Sequence, residues 1–72
     1  MDISLSCDLI NNNVGHRVFM KIQKYGSNDI KKIMGVIKSA FSNDSTPDCR
    51  IDTASGIEEV LLGEIVEIEL LS

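Results

Sequence analysis

Seventy-two residues with a formal net charge of −4 and an isoelectric point near 4.7 describe one small acidic domain over 1–72. A chain of this length buries roughly 60% of its unfolded surface, which leaves a narrow stability margin and little room for a substrate pocket. The composition, 43% hydrophobic and 25% charged, excludes a disordered chain, and no apolar run approaches the ~20 residues needed to span a bilayer.

The first segment, MDISLSCDLI, alternates: Ile3, Leu5, Cys7 and Leu9 against Asp2, Ser4, Ser6 and Asp8. A period of two predicts a half-buried strand. Its acid at position two and lack of a basic n-region argue against a secretory leader, so a reducing cytoplasm is the expected compartment. Asn11-Asn12-Asn13-Val14-Gly15-His16 has loop chemistry. RVFMKIQKY then alternates again, with Val18, Met20 and Ile22 on one face and Arg17, Phe19, Lys21 and Gln23 on the other. The two runs read as an antiparallel hairpin.

After Gly26-Ser27, with Ser27 as N-cap and Asp29 in the first turn, Ile30, Ile33, Met34, Ile37, Ala40 and Phe41 recur at helical spacing. This predicts the main helix, interrupted at a cost of about 1 kcal/mol by Gly35. Residues 43–48 form a loop and 49–53 a short strand. Ser55-x-x-Glu58 matches a capping box, so 56–62 is read as a short helix closed by Gly63, with a hairpin, EVLL-GE-IVEI, as its rival. The last run is a strand, with Val66, Ile68 and Leu70 inward and Ile65, Glu67, Glu69 and Leu71 outward. The expected architecture is α+β: a two-layer sandwich in which one main helix covers one face of a small, mostly antiparallel sheet in the order ββαβ(α)β.

Charge is unevenly placed. Residues 1–50 hold all seven bases against five acids, whereas 51–72 hold six acids and no base. That asymmetry concerns electrostatic partners. If the last strand neighbours RVFMKI, Glu67 and Glu69 face Arg17 and Lys21 within the chain; otherwise their cations belong to another molecule. Phe19 between two bases on the uncovered face is a candidate interface anchor, unless a loop, the C-terminal segment or Tyr25 covers it.

Catalytic chemistry is not indicated. His16, the one histidine, sits in a Gly/Asn loop; Cys7 and Cys49 lie in apolar patterns as buried thiols, although neighbouring strands would let them pair. No zinc, iron–sulfur or calcium spacing and no phosphate-cradling glycine motif occurs.

The expected function is a non-catalytic protein-binding module that binds or occludes a partner, or a second copy of itself. Its contact residues are Arg17, Phe19, Lys21, Glu64, Glu67 and Glu69, and no cofactor, metal or membrane is implied. Two alternatives remain. One is an acidic inhibitor that imitates nucleic acid, as proteins of phages and other mobile elements do in a host cytoplasm, since Glu67 and Glu69 lie about 7 Å apart on one strand face. The other is a single-stranded nucleic-acid-binding domain using the Arg17/Phe19/Lys21 face with Lys24, Lys31, Lys32 and Lys38. A lone aromatic and an acidic isoelectric point make nucleic acid the weaker partner.

Overall fold

The computed structural model describes residues 3–42, 45 and 47–71; Asp2 and part of the loop expected at 43–48 lie outside the described residues. The chain runs α1 (Ile3–Asn11), β1 (Arg17–Ile22), β2 (Lys31–Ser39), β3 (Asp48–Thr53), β4 (Gly56–Leu61), a 3-10 turn (Leu62–Glu64) and β5 (Ile65–Leu70). One antiparallel sheet has the order β4-β3-β2-β1-β5. The α+β class therefore holds, with one helix and one five-stranded sheet. The expected order ββαβ(α)β does not: the first segment is the helix, and the segment read as the main helix is β2.

Each reversal has a local cause. In α1 the buried positions are Ser6 and Ile10, with Leu9 packed beside them, whereas Leu5 points to solvent. Positions i, i+3 and i+4 define one helix face, and the alternation of Leu5, Cys7 and Leu9 is incidental to it. The helix ends on asparagines. The Asn13 side-chain amide donates to Leu9 O at 2.7 Å, and Asn11 Oδ1 accepts the Phe41 N–H at 2.9 Å, tying the helix end to the irregular segment that leaves β2.

In β2, Ile33 and Ile37 are buried with Gly35 between them, and Met34 and Val36 face outward. Gly35 contributes no side chain, so the period of two is silent at its midpoint. Its function is steric. A Cβ at Gly35 would collide with the Asp52 carbonyl and come within 3.1 Å of Ile51 Cγ2, so the glycine lets β3 approach closely.

The region 56–61, read as a short helix, is β4. The rival hairpin into the last strand is not formed either, because β4 and β5 are opposite edges of the sheet. Thr53 and Gly56 instead close the β3–β4 turn. Thr53 Oγ1 donates to Gly56 O at 2.7 Å and accepts the Ser55 N–H at 3.2 Å, and Gly56 adopts φ +115°, where side-chain-bearing residues are strained.

The edge-to-edge connection sets the shape. Leu61 to Ile65 is four residue steps, at most about 14 Å of chain, whereas the edges of a flat five-stranded sheet lie about 19 Å apart. The sheet must curl. Irregularities at Lys21/Ile22 and Ile37/Ser39 supply bends. The concave side encloses Val18, Met20, Ile22, Ile33, Ile37, Cys49, Ile51, Val60 and Ile68, with Ile10 from α1 completing the core. Because α1 packs on β5 and the 3-10 turn, the side chains of β3 and β4 are covered largely by the curl itself. A radius of gyration of 11.0 Å matches the ~11 Å expected of a packed chain this long. The solvent side of the sheet is its convex side.

Candidate interaction surface

Alternation along β1 sends Val18, Met20 and Ile22 into the core and Arg17, Phe19 and Lys21 to the convex side. The register assembles the surface around them. Phe19 stands opposite Met34 on β2 and Glu69 on β5; Lys21 stands opposite Lys32 and Glu67; Arg17 stands opposite Val36. Directly opposed side chains lie about 5 Å apart at Cβ, so Phe19, Met34 and Val36 form one apolar cluster over two adjacent strands. Phe19 is half-buried by these neighbours, while Met34 remains 62% exposed. Beyond Val36, the row continues through Asp52 on β3 to Ile57 on β4, which is 48% exposed.

Four of the six acids after Arg50 find cations of their own chain among the described residues. Lys21 Nζ lies 3.3 Å from Glu67, Lys31 Nζ 2.9 Å from Glu58, Lys24 Nζ 3.9 Å from Glu58 and Arg50 3.8 Å from Glu59. Strand order accounts for Lys21–Glu67 and Arg50–Glu59, since β5 lies beside β1 and β4 beside β3, whereas Lys24 and Lys31 belong to the β1–β2 connection and the start of β2 and reach Glu58 past β3. Glu69, opposite the Phe19 ring, makes no ion pair among the described residues.

Glu64, expected on the same surface, lies elsewhere. It is 5% exposed and closes the crossover between the sheet edges. Its Oε1 accepts the Leu61 N–H at 3.0 Å and Lys24 Nζ at 3.4 Å; its Oε2 accepts the Tyr25 N–H at 3.2 Å. Its carbonyl accepts the Gln23 N–H at 2.9 Å, and Lys24 Nζ also donates to Glu59 O at 2.7 Å. Burial pushes the carboxyl pKa up, but the Leu61 and Tyr25 N–H groups and the Lys24 ammonium together outweigh it and hold the group below its usual value. Glu64 is thus committed to the fold.

Five of the six expected contact residues, Arg17, Phe19, Lys21, Glu67 and Glu69, share the convex side. Sequence reasoning missed Met34 and Val36 and placed Lys32 with this face only in the nucleic-acid alternative; all three belong to the same surface because 31–39 is a strand. The signal that marks them is the outward half of Lys32-x-Met34-x-Val36.

Both cysteines are free. Cys49 is buried, and burial followed by the Asp48 charge pushes its thiol up to about 12 from the usual 9.0, so it serves as a core hydrophobe. Among the described residues no group of three or more His, Cys, Asp or Glu side chains could hold a metal ion, and no helix is long and apolar enough to cross a membrane. A cleft of about 230 Å³ opens beside the convex surface, sharing Lys32 and Met34 with it and bounded by Thr53, Ala54 and Ser55 of the β3–β4 turn. No family model matches the chain, and no curated protein or solved structure is significantly similar to it.

Proposed function

We propose that the chain is a non-catalytic protein-binding module, working in the cytoplasm, whose contact surface is the convex side of β1 and β2. One observation carries this reading: Phe19, Met34 and Val36 form a contiguous apolar cluster facing solvent, although the core is closed on the other side of the sheet. Clustered apolar side chains within a charged surround have the anatomy of an interface centre and rim. The aromatic is the natural anchor, already half-ordered by its strand neighbours. Imitation of nucleic acid is less well supported, because Glu58, Glu59, Glu64 and Glu67 already have cationic neighbours in the chain.

The test is cross-linked capture from the native cell with wild type, Phe19→Ala and Met34→Ala as baits, each first checked for a cooperative thermal transition. Both folded variants are expected to lose the specifically enriched partner. Its undiminished recovery with both would remove this surface from the function.

A further inference from the structure

The strands of the sheet differ in reach. β2 pairs with β1 down to Ile22↔Lys31, but its register with β3 ends at Gly35↔Thr53. The β3–β4 hairpin turns back there, since Thr53 already stands opposite Gly56. Lys31 to Met34 therefore project past β3 with no strand on that side. Hydrogen bonds fix which way their backbone faces. Ile37 N donates to His16 O and Ile37 O accepts the Gly15 N–H, so Ile37 faces the β1 side. Successive residues of a strand turn their N–H and C=O groups to opposite sides. Gly35, Ile33 and Lys31 thus face β1 as well, and Met34 and Lys32 face the vacant side. The cleft opens there. Lys31, Lys32, Ile33 and Met34 form one wall and Thr53, Ala54 and Ser55 the other, with Glu58 closing it 2.9 Å from Lys31 Nζ. A short free edge of β2 is thereby sheltered in a cleft within the sheet.

Resting on the protein-binding reading above, we infer that this cleft takes an extended segment of a partner protein, which adds a short strand to the projecting end of β2 and sets an Asp or Glu beside Lys32. Vacant backbone donors and acceptors along an edge select extended chain, because a helix bonds its own backbone groups to one another. The charges select the acid. On its filled side Lys32 stands opposite Lys21, which Glu67 on β5 holds at 3.3 Å. Like charges directly opposed are unfavourable, and Lys32 itself makes no ion pair among the described residues. Glu58 does not serve it. That carboxylate stands opposite the buried Ile51, on the concave side with Lys31 and Lys24, whereas Lys32 shares the convex side with Met34. A second copy is not the occupant, since two projecting ends laid together would oppose lysine to lysine. Lys31 to Met34 spans about 10 Å, and the cleft's volume of about 230 Å³ lies below that of a pocket for a drug-sized ligand, so the segment is a few residues long. Met34, 62% exposed at the convex rim, offers contact to an apolar side chain two positions from the acid and joins the cleft to the Phe19 cluster.

The probe is the blocked pentapeptide Val-Thr-Glu-Thr-Val, which presents the same side chains in either strand direction, titrated against the 15N-labelled chain. Comparisons are the same peptide methylated at the Glu nitrogen, a counterpart with Lys in place of Glu, and a fifteen-residue oligothymidylate. The Glu peptide is expected to shift the amides of Lys32, Met34, Ala54 and Ser55 at millimolar concentration and to slow hydrogen exchange at Lys32. Its affinity should fall about threefold or more with Lys32→Glu. Methylation removes the donor to the Lys32 carbonyl and is expected to abolish these shifts. Undiminished binding of the methylated peptide, or shifts confined to Phe19 and Val36, would overturn strand addition. Equal binding of the Lys peptide would overturn the acidic preference and the inference with it. No shift with the Glu peptide would overturn the inference outright, and the capture experiment would then decide the broader reading alone. Oligothymidylate shifting the same amides would overturn both in favour of nucleic acid.

Discussion

Glu64 shows how one buried charge can be a structural part. Its two oxygens receive two backbone N–H groups and a lysine, and all three come from the segments that meet where the chain crosses between sheet edges. An amide has one oxygen, so in Glu64→Gln either the Leu61 or the Tyr25 N–H faces an NH2 group. The substitution is expected to cost about 1–3 kcal/mol in denaturant unfolding. The sign of its pH dependence follows from the lowered folded-state pKa. Glu64 contributes stability above the usual 4.5, and that contribution is lost as pH falls through the depressed value in the folded chain. Wild type should therefore lose more stability than Glu64→Gln on acidification below about pH 4.5; parallel losses would show that this carboxylate is not the group responsible. Gly35 tests a steric point. An added Cβ would meet the Asp52 backbone, so Gly35→Ala is expected to lower stability by about 1–3 kcal/mol. A melting temperature at or above wild type would mean that β3 can move away freely.

At the scale of elements, β1 and β3 were legible because one face of each run is apolar and the other is not; β5 was legible as a strand but not in its faces, since Val66 and Leu70, expected inward, are exposed and Ile65, expected outward, packs against the core beside the irregularity at Lys21/Ile22. Val18, Met20, Ile22, Ile51 and Ile68 are buried as their alternation implied. β2 was not legible, since Gly35 is mute on the core side while Met34 and Val36 are apolar on the outer side, which erases the contrast that a period of two requires. With that strand misread, half of the candidate surface went unseen. α1 misled in the opposite way, by burying Ser6 and exposing Leu5. The two readings of this segment predict different substitution costs. Ile10→Ala should cost about 2–5 kcal/mol, because Ile10 is fully buried where α1 closes the core. Leu5→Ala should change stability by less than about 0.5 kcal/mol. A larger loss at Leu5 than at Ile10, which alternation would place on opposite faces of a strand, would favour the strand reading and displace the helix.

For the molecule as a whole, the two edge strands of the sheet decide how copies can meet. The sheet curls but does not close, so β4 and β5 each carry an unpaired backbone edge, the usual template for head-to-tail assembly of copies. Both edges are acidic: Glu58 and Glu59 on β4, Glu67 and Glu69 on β5. Laying β5 of one copy along β4 of another would bring like charges together, which is unfavourable across strands. Glu58 and Glu67 are partly neutralised by their lysines, which leaves Glu69 as the most effective guard. Wild type is therefore expected to scatter light as a monomer at neutral pH and low salt. Glu69→Lys keeps every ion pair described above and converts one repulsion between copies into an attraction, so it should associate in a concentration-dependent way. Added salt should weaken that association, because screening removes the new attraction. If wild type assembles as readily as Glu69→Lys at low salt, the acids do not guard the edges, and their role would have to be sought in the ion pairs that hold β5 to β1 and β4 to β3.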